Sequence, residues 1–373
     1  MKIGVPKEIK VKEDRVGITP QGVQMLVKNG HQVYIEKSAG FGSGFYDEEY
    51  KTSGAILCDT PDEVYCNAEI VVKVKEPQPS EYKFLKKNHI LFTYLHLAIE
   101  KSLTKELMNK KVTSIAYETI QKADGTLPLL LPMSEVAGKM SIQIAANLLE
   151  NRNQGAGILL GGIAGVPAGK VLIIGAGSVG YNAAKVAVGM GAKVRVVDID
   201  TEKLRHIDNK FGSHVETYVS NESVLKELIK DTDALIGAVL IPGHKAPRLV
   251  TAEMVKSMRK GSVIVDVSID QGGIVETIDR ITTHDNPFFE KYGVIHYSVA
   301  NIPGSVARTS TIALTNETIK YLLNIVDKGL VDAIKADSSL AAGVNTFNGQ
   351  LTNEGVSKAL NIDYVELPSL IGF

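Results

Sequence analysis

The segment 170–198, KVLIIGAGSVGYNAAKVAVGMGAKVRVVD, has the spacing of a phosphate-binding turn. Gly175, Gly177 and Gly180 form the pattern G-x-G-x-x-G directly after four apolar residues. In this pattern the first glycine permits a tight turn, the second lets the backbone approach a pyrophosphate, and the third lets a helix pack against the strand. The helix N-terminus offers free N–H groups and a positive dipole end to the phosphates. The segment therefore predicts a dinucleotide site.

Asp198 follows the next apolar run, 194–197, at the distance expected for an acid that accepts hydrogen bonds from the adenosine ribose. Its charge would repel a 2′-phosphate, which favours NAD over NADP. Lys203 and Arg205 lie close by and keep NADP open. The alternative is that the glycines serve packing alone, but strand, turn, helix, strand and acid all occur in order.

Four further side chains could do chemistry. Arg15 lies in a polar loop just before Thr19-Pro20, whereas Lys75, His96 and Asp270 lie at or just after the ends of predicted strands, where open α/β sheets bind ligands. Arg15 could bind a carboxylate through its guanidinium, or be a solvated surface charge. Lys75 could bind a carboxylate or carbonyl oxygen, or be an edge lysine whose amine reaches solvent. His96 could exchange a proton near neutral pH, or be a hydrogen-bonded buried histidine. Asp270, before two glycines, could be a catalytic acid or the cap of a helix or turn.

Strands and helices alternate along the whole chain, which predicts an α/β fold. A helix is expected over 20–28, a second over 134–151 with Ser134 as its N-cap, a third over 181–190, and a last helical region over 310–337. The expected strands are 2–5, 32–36, 70–75, 90–95, 171–174, 194–197, 234–239, 263–267 and 294–297.

A chain of 373 residues is too long for one ordinary core, so two domains are expected. The helical pattern that returns after the last strand indicates that the chain re-enters its first domain. We therefore predict two Rossmann-like domains with doubly wound parallel sheets. A discontinuous substrate domain, 1–130 and 306–373, receives the NAD-binding domain, 131–305, as an insertion.

The composition is that of an ordinary globular enzyme, with 44% hydrophobic and 22% charged residues. A net charge of −1 provides no basic field for nucleic acid or an anionic membrane. No secretory leader or membrane span is evident. Cys58 and Cys66 are expected to be free thiols in a reducing cytoplasm. The histidines show no metal-ligand spacing, so no metal is expected.

Four segments together resemble the alanine dehydrogenases and the related nicotinamide nucleotide transhydrogenase subunits. They follow one another in order and cover both predicted domains. The segments are GVPKEIKVKEDRVGITPQGVQMLVKNG (4–30), GVPAGKVLIIGAGSVGYNAA (165–184), VDVSIDQGG (265–273) and YSVANIPGSVARTST (297–311).

The resemblance implies the reaction of L-alanine, NAD⁺ and water to pyruvate, ammonium and NADH. It implies that Arg15 and Lys75 hold the substrate and that His96 and Asp270 are catalytic, without deciding which is the principal base. It also implies a homo-oligomer, most often a hexamer. The cofactor contacts that it implies, beyond the three turn glycines, are Ser134, Ser178, Val179, Asp198, Lys203, Ser220, Val239, Leu240, Val267, Ser268, Ile269, Asp270, Arg280, Val299, Ala300 and Asn301.

Departures from the family pattern are small. Lys12, Ser268 and Ala307 replace residues that are usual in the family, and none removes a group that the mechanism needs. The nearest rival is the NAD-binding subunit of a proton-translocating transhydrogenase, whose arginine–glutamine–aspartate loop is missing at 132–137. Saccharopine dehydrogenases agree less well with the motifs. A nucleotide sensor without catalysis would leave the four polar residues unexplained.

Overall fold

The computed structural model describes residues 1–239 and 246–372. The chain divides into two compact units. The first comprises Met1–Met133 and Val306–Phe373, and the second comprises Ser134–Ser305. Each unit is built on its own sheet.

The strands are β1 (Lys2–Val5), β2 (Gln32–Glu36), β3 (Ile56–Cys58), β4 (Ile70–Val72), β5 (Ile90–Thr93), β6 (Thr113–Ala116), β7 (Lys170–Ile174), β8 (Lys193–Asp198), β9 (Val215–Val219), β10 (Ala234–Gly237), β11 (Val263–Asp266), β12 (Phe288–Lys291), β13 (Val294–Tyr297), β14 (Val344–Phe347) and β15 (Gln350–Leu351). The helices are α1 (Pro20–Lys28), α2 (Asp47–Thr52), α3 (Pro61–Asn67), α4 (Lys101–Asn109), α5 (Leu131–Leu148), α6 (Ser178–Gly189), α7 (Thr201–Phe211), α8 (Glu222–Ile229), α9 (Ala252–Lys256), α10 (Ala307–Lys328), α11 (Leu330–Ala336), α12 (Ser338–Gly343), α13 (Glu354–Leu360) and α14 (Leu367–Ile371).

The sheet of the first unit has the order β15-β14-β6-β5-β4-β1-β2-β3. Strands β1 to β6 run parallel, and β14 and β15 extend the edge beside β6 in antiparallel pairing. Both faces are covered: Ile70 and Val72 belong to one apolar cluster, while Val71 between them belongs to another. A parallel strand buried on both faces is expected to be a continuous apolar run, as β4 is.

The sheet of the second unit has the order β12-β13-β11-β10-β7-β8-β9. All its pairs are parallel except that of β12 with β13. If the parallel strands of each unit are numbered in chain order, both sheets read 3-2-1-4-5-6, which is the doubly wound Rossmann order. The predicted fold class is therefore confirmed.

Several predicted boundaries were wrong for local reasons. Helix α5 begins at Leu131, so Ser134 lies inside its first turn and does not cap it. Helix α6 begins at Ser178, three residues before the predicted start, because Gly177 is its N-cap. The helical region predicted over 310–337 is two helices, α10 and α11, separated by Gly329 at φ +83°. No helix among the described residues is both long and apolar enough to cross a membrane.

Candidate active site

Three of the predicted site residues of the first unit follow three neighbouring strands. Arg15 lies in the loop after β1, Lys75 follows β4, and His96 follows β5. These strands are adjacent in the order β5-β4-β1 and run parallel. Their carboxyl ends therefore meet at one edge of the sheet, where open α/β sheets bind ligands.

Arg15 is a buried cation that is paired with the carboxylate of Glu13. Its side chain is 2% exposed, and Glu13 accepts hydrogen bonds from Nε and Nη2 at 2.6 Å each. Nη1 lies 3.1 Å from the sulfur of Met133. Burial alone would lower the pKa of Arg15, but the hydrogen bonds and charge of Glu13 raise it. The alternative that Arg15 is a solvated surface charge is wrong.

Lys75 is a half-buried cation held through its backbone. Its carbonyl accepts a hydrogen bond from the hydroxyl of Thr93 at 3.0 Å, and its amide lies 3.3 Å from Oε1 of Glu8. Burial and the positive charge of Arg15 lower the pKa of the Lys75 amine. Within the described ranges this amine forms neither a hydrogen bond nor an ion pair. It is therefore available to an anionic or carbonyl-bearing ligand.

His96 adopts the left-handed conformation, φ +50°, which is uncommon for a residue other than glycine. The carboxylate of Glu118 holds His96 in this conformation by accepting hydrogen bonds from the backbone amides of Leu95 at 3.2 Å and of His96 at 2.6 Å. The ring stacks on that of Tyr94, with centroids 6.1 Å apart and planes 4° apart. With 40% of its side chain exposed, His96 is not a buried structural histidine.

The glycine-rich turn lies between β7 and α6 in the second unit. Gly175 has φ +107°, and a Cβ on Gly180 would lie 1.8 Å from the carbonyl oxygen of Gly175. A Cβ on Gly177 would meet nothing within 4 Å. The first and third glycines are thus required by the fold itself. Gly177 faces open space, which fits a turn approached by a pyrophosphate.

Asp198 ends β8, beside that turn. Its Oδ2 accepts a hydrogen bond from the backbone amide of Ala176 at 2.6 Å, and its Oδ1 accepts one from the backbone amide of Asp200 at 2.9 Å. These two bonds orient the carboxylate and leave further lone pairs for the hydroxyls of a ribose. The side chain is partly exposed, as a ligand contact requires.

Asp270 lies in the 3-10 helix Val267–Gln271 after β11. It is exposed, and its carboxylate forms no hydrogen bond or ion pair within the described ranges. The residue that caps this 3-10 helix is Asp266, which is fully buried. Its carboxylate accepts hydrogen bonds from the backbone amides of Ser268 at 3.0 Å and Ile274 at 2.8 Å. Burial raises the pKa of Asp266 to about 6, against these hydrogen bonds. The alternative of Asp270 as a turn cap is wrong.

The other predicted cofactor contacts of the second unit mostly follow the carboxyl ends of its strands. Ser178 and Val179 begin α6, Ser134 lies in α5, Lys203 in the first turn of α7, and exposed Arg280 in a loop over the ring of Phe289. Leu240 lies outside the described residues. The contacts that follow strand ends are Ser220 after β9, Val239 after β10, Val267, Ser268 and Ile269 after β11, and Val299, Ala300 and Asn301 after β13.

Three carboxylates that orient the predicted site residues were not predicted from the sequence. Glu13 grips Arg15, Glu118 holds the backbone of His96, and Asp266 fixes the loop of Asp270. Asp266 carries a signal, since it is an acid at the end of the apolar run VIV. Glu13 and Glu118 carry none, because their roles depend on side-chain direction and on a neighbouring strand.

The strand order and the glycine turn place this chain in a class of proteins. A phosphate-binding turn beside the point where the strand order reverses, with an acid after the next strand, defines a dinucleotide-binding α/β protein. Residues 4–137 match the family model of the alanine dehydrogenase/PNT N-terminal domain, and residues 141–354 match that of the C-terminal domain. The chain belongs to the alanine dehydrogenase/PNT family.

Individual relatives agree with this assignment. An alanine dehydrogenase of Methanococcus maripaludis is 58% identical over 364 residues, which cover 98% of each chain. A solved L-alanine dehydrogenase is 48% identical, with a TM-score of 0.94 over 97% of this chain and 99% of the other. A transhydrogenase from Sinorhizobium meliloti, with a TM-score of 0.80 over 95% and 99%, is 24% identical and shows the fold alone.

Proposed function

We propose that this chain is an NAD-dependent alanine dehydrogenase, which interconverts L-alanine with pyruvate and ammonium. The observation that carries the proposal is the arrangement of Arg15, Lys75 and His96 after three adjacent parallel strands. The chain's full-length likeness to a protein named alanine dehydrogenase supports the same substrate. Two cations and an imidazole at one sheet edge suit a small 2-oxo or 2-amino acid.

Substrate binding is assigned to the two cations. Arg15 binds the carboxylate, and Lys75 binds the carboxylate and, on the oxidised substrate, the carbonyl oxygen. Charge-assisted hydrogen bonds of this kind are about twice as strong as neutral ones. Because Glu13 already neutralises and orients Arg15, the guanidinium needs little reorganisation when substrate arrives.

The second unit is assigned to the dinucleotide. The open space at Gly177 and the N-terminus of α6 fit the pyrophosphate, and Asp198 fits the ribose hydroxyls and favours NAD over NADP. The remaining contacts proposed for the cofactor are Ser134, Gly175, Ser178, Val179, Gly180, Lys203, Ser220, Val239, Leu240, Val267, Ser268, Ile269, Asp270, Arg280, Val299, Ala300 and Asn301. When bound, NAD⁺ supplies the hydride acceptor.

Proton movement is assigned to His96 and Asp270. His96 exchanges a proton through its partly exposed ring, and Asp270 through a carboxylate that has no partner among the described residues. They serve the addition of water to the oxidised substrate and the loss of ammonia. The proposal also includes a homo-oligomer, expected to be a hexamer, and a cytoplasmic location, which the two free cysteines favour.

L-alanine-dependent reduction of NAD⁺ by the purified protein tests the proposal. We expect His96→Ala and Asp270→Asn each to lower kcat by about 10²–10⁴-fold while NADH still binds. His214→Ala changes an exposed histidine of the second unit and serves as the control. Near-normal turnover by His96→Ala would remove the role assigned to that residue, and no turnover by the wild type would remove the proposed function.

A further inference from the structure

A buried ion cluster lies directly before Lys75 in the first unit. It consists of Glu8, Lys73 and Glu81, and we call it the Lys73 cluster. The Lys73 side chain is 0% exposed, and its Nζ lies 2.9 Å from Oε1 of Glu81 and 3.2 Å from Oε2 of Glu8. Burial alone would lower the pKa of Lys73, but the two carboxylates raise it. Lys73 is therefore a buried ammonium ion with two counter-charges.

The two carboxylates of the Lys73 cluster differ in what else they bind. Glu81 also accepts hydrogen bonds from the hydroxyl of Tyr65 at 3.1 Å and from the backbone amide of Gln78 at 2.7 Å. Glu8 instead accepts a hydrogen bond from the backbone amide of Val74 at 2.6 Å, and the same oxygen lies 3.3 Å from the backbone amide of Lys75. Of the two, Glu8 alone reaches the backbone that carries Lys75.

The course of the sheet explains why these amides need Glu8. Strand β1 pairs with β4 only as far as Gly4 and Val71, and β1 ends at Val5. Among the described residues, no strand lies on that side beyond this point to accept hydrogen bonds from the amides of residues 74 and 75. Because an unpaired buried N–H is costly, the carboxylate of Glu8 takes the place of the missing strand. Lys75 is then held from both sides, by Glu8 at its amide and by Thr93 at its carbonyl.

We propose that Glu8 is a positioning residue for substrate binding: its carboxylate fixes the backbone at Lys75 and so places the amine that binds pyruvate and alanine. The inference rests on the proposed function, because it needs Lys75 to touch the substrate. Lys73 supports Glu8 by holding the other oxygen of the same carboxylate. A displacement of a binding group by about 1 Å is enough to cost a large factor in rate or affinity.

Glu8→Ala and Glu81→Ala form a matched pair, because each removes one carboxylate from Lys73 and only the first touches the support of Lys75. We expect Glu8→Ala to raise KM for pyruvate about tenfold with kcat changed less than about threefold. Glu81→Ala is expected to leave KM within about twofold of the wild type. The dissociation constant of NADH should be the same in all three proteins. Equal changes in KM, or none, would overturn the proposal.

A second pair keeps the test valid if the loss of one counter-charge of Lys73 prevents folding. Lys73→Met combined with Glu8→Gln removes the Lys73–Glu8 ion pair and keeps an acceptor oxygen at residue 8, whereas Lys73→Met combined with Glu8→Leu removes the acceptor as well. Glu81 is unchanged in both variants. Apolar replacement of buried ions is often tolerated. We expect the glutamine variant to restore a low KM for pyruvate and the leucine variant to keep a high one. Identical KM values in these two would overturn the proposal.

Turnover by the wild type distinguishes a failure of the proposed function from a failure of the role proposed for Glu8. If the wild type converts pyruvate, ammonium and NADH, the KM comparison tests Glu8 alone. If the wild type does not, the proposed function fails, and the inference on Glu8 falls with it.

Discussion

The guanidinium of Arg15 is bound along one edge by the carboxylate of Glu13, with both bonds at 2.6 Å. The pair also explains how a cation can be buried so completely without loss of its charge. The two residues lie only two positions apart in sequence, so one short segment supplies both the cation and the carboxylate that orients it.

Arg15→Lys is expected to raise KM for pyruvate by about 10²-fold, because lysine has no fork that binds Glu13 and the substrate together. Initial rates at saturating NADH measure this effect. Arg152→Lys, at an exposed arginine paired with Glu150, is the control and should match the wild type. A KM for Arg15→Lys within threefold of the wild type would contradict the binding role.

Gly177 and Gly180 of the turn are expected to respond differently to replacement by alanine. Gly180→Ala places a methyl group against the carbonyl of Gly175 and should lower the thermal unfolding midpoint strongly. Gly177→Ala should leave the midpoint nearly unchanged and weaken NADH binding by about tenfold or more. Gly189→Ala, at the exposed end of α6, should change neither. Normal NADH binding by Gly177→Ala would argue against a pyrophosphate at this turn.

Asp198→Ala should reduce the preference for NADH over NADPH by about 10–100-fold, since it removes charged hydrogen bonds to the ribose and the repulsion of a 2′-phosphate. The ratio of kcat/KM for the two cofactors measures the preference. Asp208→Ala is a suitable control, because Asp208 is an exposed aspartate of α7 outside the proposed cofactor contacts and should leave the ratio unchanged. The assignment of Asp198 would be lost if both variants kept the wild-type ratio.

His296 is expected to make the protein less stable in acid. Burial lowers its pKa to about 4, while its ring bonds to Thr277 and Val294. Below pH 6.5 the unfolded histidine binds a proton that the folded one does not, so stability is lost as the pH falls toward 4. The shift corresponds to about 3 kcal/mol of unfolding free energy. Glu290, Lys291 and Asp279 lie on neighbouring segments. These three charged residues are present in the wild type and in every His296 variant, so their contribution is the same in the comparison.

Urea unfolding of the wild type and of His296→Gln at pH 7 and pH 4.5 measures this effect. The wild type should lose more stability than His296→Gln between the two values. His214→Gln, at an exposed histidine, should behave as the wild type. Parallel losses in all three proteins would show that His296 does not carry the acid sensitivity.

The fold was largely predictable because its signals are local. The apolar runs of β7 and β8, the glycine turn between β7 and α6, and the Thr19-Pro20 start of α1 all lie within short segments. Strand β4 ends at Val72, whereas it was predicted to run to Lys75. The next residue, Lys73, is buried and pairs with Glu81 and with Glu8, of which Glu8 is distant in sequence.

The support of the candidate site was not predictable in the same way. Glu118 lies 22 residues from His96 in sequence and meets its amide only because β5 and β6 are neighbours. Glu8 meets Lys75 only because β1 and β4 are neighbours. The residues proposed to contact ligands lie in motifs or at predicted strand ends, whereas the residues that orient them depend on the completed sheet. The roles of Arg15, Lys75, His96 and Asp270 stay predictions until the variants are measured.

NADH consumption in the presence of pyruvate, with and without ammonium, is the decisive test of an alanine dehydrogenase activity. We predict that NADH is oxidised only when pyruvate and ammonium are both present, and that NADPH substitutes poorly. Oxidation with pyruvate alone would indicate a hydroxyacid dehydrogenase and contradict the account. Bound NADH that is never oxidised under either condition would contradict it as well.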